Sequence, residues 1–221
     1  GSSIDNFSGF TKLYNINMVR NGHRLDLDSV YVNAGEEDGQ KLITIESNAL
    51  TARIKGQYEL SKLPYSFQYY LSGYLPNYIS KPTQAAPPQD ITFNIVTKEI
   101  DSLLGIVIPK IKGFSGATID GKLNTSSQQL QLNANIPYGE GNGILLRDVT
   151  ITGAGDFNKL AVDAKTQRII VGDSILSGAL EVNTTLANND LNFKIATTSA
   201  DKYGTATLIG KVHTASDSVW L

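Results

Sequence analysis

Along much of this chain, apolar and polar residues trade places at every step. Leu130, Leu132, Ala134 and Ile136 take alternate positions, with Gln131, Asn133 and Asn135 between them. Leu160, Val162 and Ala164 repeat the pattern, as do Leu180 with Val182, and Leu191, Phe193 and Ile195. Successive side chains of a strand point to opposite faces, so each segment predicts a strand with one apolar and one polar side. Earlier in the chain, strands are predicted over 13–18, 24–33, 41–47 and 49–60. They are separated by Asn21-Gly22 and by the acidic turn Glu36-Glu37-Asp38-Gly39, which points to an antiparallel start.

The period changes once. Phe67, Tyr70, Leu71, Tyr74, Leu75 and Tyr78 recur at spacings of three and four, the stripe of an amphipathic helix with Pro64 near its start and Pro76 at its end. Residues 81–90, with three prolines and no periodicity, read as an exposed linker. A short strand over 91–96 and a weak helical turn over 99–104 follow. From residue 113 onward strands alternate with turns placed at 124–127, 138–143, 153–158, 165–167, 172–173, 188–190 and 199–203. Residue identities do not recur at a fixed period, so the pattern is a long meander or coil of strands and not a repeat array. The expected organisation is an N-terminal β segment over 4–80 ending in the helix, the linker over 81–90, and a second β segment over 91–221.

Composition narrows the chemistry. Nineteen Lys and Arg against 21 Asp and Glu leave a net charge of -2, with no basic run interleaved with aromatics, so nucleic acid is not expected as a partner. With no cysteine there is no disulfide framework, zinc ribbon or thiol catalysis. The longest apolar run, 103–108, is far short of the roughly 20 residues a membrane-spanning helix needs. The opening Gly1-Ser2-Ser3 reads as the scar of a cleaved tag on a piece of a longer protein.

The order of features resembles the AsmA-like/TamB superfamily, in particular TamB-domain proteins of Bacteroidetes-type envelopes. The resemblance is carried by residues 25–30 and 49–60, by the helix ending Tyr74-Leu75-Pro76, and by the Pro-rich link. It continues through 117–123, through Ile136-Pro137-Tyr138 leading into 148–151, and through 156–162 on to Ile175. It covers roughly residue 24 onward, as a match of pattern and order. The resemblance implies an all-β fold of the β-taco type: a long antiparallel sheet curled into an open apolar groove, with one or two short helices. No cofactor and no enzymatic activity are expected, because no catalytic constellation accompanies the alternating strands. The resemblance further implies a periplasmic location for a protein anchored in the inner membrane, with phospholipid acyl chains as cargo between inner and outer membranes. An outer-membrane barrel assembly protein is the implied partner, through regions outside this chain.

Physically, a trough needs one apolar face left open, and burying each acyl methylene contributes about 0.8 kcal/mol without a headgroup site. The expected groove lining is Leu130, Leu132, Ile136, Leu160, Val162, Leu180, Val182, Leu191, Phe193 and Ile195. The ordinary alternative is that these residues fill the core of a closed sandwich or barrel, as in a secreted or cell-surface β-sandwich that binds glycan or protein. The aromatic helix is expected to pack on the sheet, since a membrane-surface helix would carry a basic polar face. His23 and His213 have no ligand-spaced partners in sequence, and no metal site is expected. Asp26 with Asp28, and the cluster at 36–38, lack the ligand order of a calcium loop. Gly153-Ala154-Gly155 lacks the third glycine of a nucleotide cradle. The sequons at Asn6, Asn124 and Asn183 are chance matches in an Asn-, Ser- and Thr-rich chain. A glycosidase, the third reading, would need two facing carboxylates brought together by folding.

Overall fold

The computed structural model describes residues 4–6, 8–20, 22–77, 79–83, 87–156, 158–172, 174–198, 205–214 and 219–220; residues 1–3, Tyr78 and the turn expected at 199–203 lie outside them. Four strands open the chain: β1 (Gly9–Arg20), β2 (His23–Glu37), β3 (Gln40–Ser47) and β4 (Leu50–Gln57). A short 3-10 turn (Leu60–Lys62) leads into α1 (Leu63–Tyr74). Then come β5 (Asp90–Thr97), α2 (Asp101–Val107), β6 (Ile111–Gly113), β7 (Thr118–Asn124), β8 (Gln129–Gly141) and β9 (Ile144–Gly155). The chain continues with β10 (Leu160–Thr166), β11 (Arg168–Val171), β12 (Ser174–Ser177), β13 (Leu180–Ala187), β14 (Asp190–Thr198), β15 (Thr205–Thr214) and β16 (Val219–Trp220).

The sixteen strands among the described residues belong to one antiparallel sheet, ordered β1-β2-β3-β4-β5-β7-β8-β9-β10-β13-β14-β15-β16, with β6, β11 and β12 attached beside β8 and β9. Its end strands do not pair with each other, so the sheet is open, and it is a single layer where a sandwich would have two. Residues 50–57 pair directly with 90–97, so the hydrogen-bonded ladder crosses the Pro-rich link without a break.

Several turns lie later than the sequence suggested. β2 runs through Glu36 and Glu37, leaving Asp38-Gly39 as the turn, and both residues take positive φ (52° and 72°). β8 passes through Pro137 to Gly141, leaving Asn142-Gly143. In both cases glutamates, glycines or a proline that suggest a turn continue a strand because a partner strand holds them in the ladder.

Register places the apolar residues in transverse rows. One row runs Ala34–Ile43–Ile54–Phe93–Gly121–Leu132–Gly153–Val162–Thr184–Phe193–Gly210. The next runs Val32–Ile45–Ala52–Ile95–Ile119–Ala134–Ile151–Ala164–Val182–Ile195–Leu208. A third begins Gly56–Ile91–Leu123–Leu130–Gly155–Leu160–Leu186–Leu191. Large residues repeatedly stand beside Gly or Ala. Small residues let neighbouring strands converge on this side, which is how a sheet curls without overcrowding its inner face. Aromatic rings lie over two of these glycines: a Cβ on Gly121 would meet the Phe93 ring at 2.5 Å, and one on Gly210 would meet the Phe193 ring at 2.4 Å.

The curl follows from what α1 touches. Its Tyr70 and Tyr74 form a core with Tyr58, Ile91 and Leu123, against which Ile43 on β3 and Leu186 on β13 also pack. Those two strands are seven spacings apart, about 34 Å on a flat sheet. A helix of 12 residues is only about 18 Å long. One small cluster can reach both only if the sheet wraps around it, so the apolar face is concave.

Candidate functional site: the apolar trough

α1 closes one end of the concave face. Its buried positions are Ser66, Tyr70, Ser72 and Tyr74, whereas Phe67 and Leu71 are 39% and 40% exposed. The stripe that faces the sheet is therefore centred on 66, 70 and 74, one residue round from the centre the sequence suggested. Hydroxyls fix the helix in place. Tyr70 Oη donates to the carbonyl of Gly155 at 3.1 Å and Tyr74 Oη to that of Asp156. The rings meet edge to face at 5.5 Å. Burial pushes the Tyr74 hydroxyl well above the ordinary phenol range, with Tyr70 beside it adding to the effect. Beyond the helix, Asn189 N donates to Tyr74 O at 2.9 Å, and Asn77 Nδ2 to Thr214 O at 2.7 Å. The helix thus ties β9, β14 and β15 to the strands that precede it.

At the opposite end β2 and β8–β9 run past their neighbours, and α2 packs against β2 and β6 in the gap. Ile100 and Ile106 are buried, a Cβ on Gly105 would meet His23 Nδ1 at 2.9 Å, and Asp101 Oδ1 accepts from Gly113 N at 2.6 Å. A second core of Ala117, Ile136 and Val149 lies nearby, with Phe114 and Leu146 against it. Val149 and Leu146 reach the same cluster because Asp148 between them is left-handed (φ 51°) and resets the alternation.

The ten residues expected to line a groove fall into three settings. Leu130 and Leu160 pack under α1, and Leu191 continues their row. Ile136 is buried (7%) inside the second core and lines no open surface. Leu132, Val162, Phe193, Val182 and Ile195 stand in the two middle rows, half-buried, with Leu180 at their far border opposite Thr166. The sequence reading missed the other half of the same rows: Ile43, Ile45, Ile54, Ile91, Phe93, Ile95 and Ile119. Their signal was present, since Ile91, Phe93 and Ile95 alternate with Thr92 and Asn94.

Across eleven strands the two middle rows contain no titratable side chain. At about 4.8 Å per strand each row measures about 50 Å around the curl. Polar and charged residues occupy the outer face. Glu37 accepts from Arg53 at 2.5 Å and Lys55 at 2.7 Å, Asn133 donates to Asp120 at 2.9 Å, Asn183 to Asp163 at 2.7 Å, and Lys165 pairs with Glu181 at 3.0 Å. Lys55 and Arg53 hold the Glu37 carboxyl below the usual carboxylate range. Among the described residues no group of three or more His, Asp or Glu is placed to hold a metal ion, and no helix is long and apolar enough to cross a membrane. His213 Nδ1 lies 2.6 Å from Asp190, which also pairs with Lys211 at 2.8 Å. No protein-family model, no curated protein and no solved structure matches this chain.

Proposed function

We propose that the trough holds the acyl chains of phospholipids, as a periplasmic segment of a TamB-like, AsmA-like protein that serves lipid transport between the inner and outer membranes and outer-membrane biogenesis. The observation that carries this reading is the pair of middle rows: free of charge over eleven strands, with Phe93, Leu132, Val162, Val182, Phe193 and Ile195 half-buried and in neither core cluster. Monomeric soluble proteins rarely leave a contiguous apolar surface of that extent without a partner. Acyl chains suit it because they need no directional contact, and each methylene that leaves water contributes about 0.8 kcal/mol.

Solvent extraction of the purified protein followed by mass spectrometry tests the reading, alongside a variant carrying Leu132→Asp and Val162→Asp. Near-stoichiometric phospholipid in the parent, lost from a variant that keeps its β-sheet circular dichroism, supports it. Absence of lipid from both, after purification without detergent, overturns it and turns attention to glycan or protein ligands.

A further inference from the structure

Beside α1, two charges stand on the concave face and do not pair. Glu36 and Lys41 are direct cross-strand partners on β2 and β3, next to Ala34 and Ile43 on the same side of the sheet. Neither makes an ion pair with the other or with another described residue. One position along, on the outer face, Glu37 binds both Arg53 and Lys55. The inward-facing Glu36 and Lys41 make no such ion pair.

Lys41 is held in place. Its Nζ donates to the carbonyls of Asp5 at 3.0 Å and Tyr58 at 2.9 Å, and it lies 5.9 Å from the Tyr58 ring centroid. An ammonium has three donors, so one N–H remains on a fixed cation. The Asp5 carboxylate accepts from Ser61 N at 2.9 Å and Ser61 Oγ at 2.7 Å, and Asp5 also lines the cleft. Glu36 and Lys41 open onto a cleft of about 420 Å³ with Ala34, Ile43, Tyr58 and Leu60 in its walls. Ile43 also continues into the middle row through Ile54 and Phe93.

Resting on the reading of the trough as an acyl-chain site, we infer that this cleft takes the zwitterionic headgroup of an amine-bearing phospholipid, its phosphodiester on Lys41 and its ammonium on Glu36. An anionic headgroup without the amine would leave Glu36 unpaired beside its own negative charge. The acyl chains then leave the cleft past Ile43, which lines it, toward Phe93 in the middle row.

The protein is incubated with vesicles of equal phosphatidylethanolamine and phosphatidylglycerol, re-isolated, and its lipid quantified by mass spectrometry. Phosphatidylethanolamine is expected to be enriched about five- to tenfold, the discrimination of one charge-assisted contact. Glu36→Gln, which removes no ion pair among the described residues, is expected to return the bound ratio to that of the vesicles. Bound lipid in the vesicle ratio with the parent protein overturns the headgroup site and leaves the trough reading intact. No bound lipid at all overturns the trough reading and this site with it. A phosphorus NMR titration with free phosphoethanolamine separates the remaining source: saturation that depends on Glu36, without lipid uptake, assigns the cleft to a soluble ligand and overturns the lipid assignment.

Discussion

Leu123 and Leu132 are both inward-facing leucines on adjacent strands of the same sheet, and they lie in different worlds. Leu123 is fully buried beneath Tyr70 and Tyr74 of α1, while Leu132, one row away, is half-buried with no element above it. Strand sequence alone does not separate them. The difference is made by α1, earlier in the chain, whose core takes in the third row and the Ile43–Ile54 end of the next row and does not include Leu132. The covered residues hold the fold together, and the uncovered ones are left for something else.

The sharpest break of that comparison is Tyr74→Ala. It removes a side chain with no exposed surface, its ring contact with Tyr70 and its hydrogen bond to Asp156, so a loss of about 3–5 kcal/mol is expected in urea unfolding. A loss below about 1 kcal/mol would mean that α1 does not close the trough.

The leucines themselves come next. Leu123→Ala should cost about 2–5 kcal/mol, because a cavity is left in a packed cluster. Leu132→Ala should cost about 1 kcal/mol, since roughly half of a leucine's burial is at stake and no enclosed cavity forms. Equal losses in the two unfolding midpoints would place a cover over the middle rows. Repeating the pair with bound phospholipid sharpens the test, because a ligand that binds only the folded state adds stability in proportion to its affinity. The Leu132 cost should then rise while the Leu123 cost stays put.

Glycines separate the places where the curl depends on a missing side chain from those where it does not. On Gly121 a Cβ would sit 2.5 Å from the Phe93 ring and 2.7 Å from the carbonyl oxygen of Gln131, and that backbone cannot swing aside. On Gly153, in the same row, the nearest atom is Leu132 Cβ at 3.6 Å, an ordinary contact. Gly121→Ala is expected to cost about 1–3 kcal/mol and Gly153→Ala less than about 0.5. Melting both variants decides it, and equal shifts would mean that ring-on-glycine packing does not set the curvature.

How much of this was legible in the sequence differs by level. The facing of each strand was legible wherever alternation ran unbroken, as from Leu130 to Ile136, and the helix was legible from its aromatic spacing. Its buried face was read one residue off because Phe67 and Leu71 looked as apolar as Tyr70, whereas Ser66, small enough to approach the sheet, marks the true centre. Strand ends were misjudged at Glu36-Glu37 and at Pro137–Gly141, where pairing with β3, β6 and β9 overrides local turn preference. The curl was out of reach of periodicity, since it depends on which residue stands opposite which. Gly121 beside Phe93 means nothing until β5 and β7 are in register. The same holds for Glu36, which reads as part of a solvated turn, and Lys41, which reads as the start of a strand, until the register sets them side by side on the inner face.

The smallest expected effect separates the two faces by charge. On the outer face and at its edge, Lys55 and Arg53 hold the Glu37 carboxyl below its usual range, and Lys211 and His213 do the same to Asp190. A carboxyl with a lowered folded-state pKa contributes stability that is fully present above its unfolded value near about pH 4 and is lost as pH falls through the lower folded value. These groups are solvent-exposed, so the contribution is modest and screened by salt. Melting temperature from neutral to strongly acidic pH, for the parent and for a variant carrying Glu37→Gln and Asp190→Asn, is expected to show the parent higher at neutral pH. The gap should close as the solution becomes acidic and shrink when salt is added. A gap constant with pH would move the acid sensitivity of the molecule away from these pairs. Since the two middle rows contain no group that titrates, phospholipid bound there by its chains alone should be retained through the same acid range as long as the sheet stays folded.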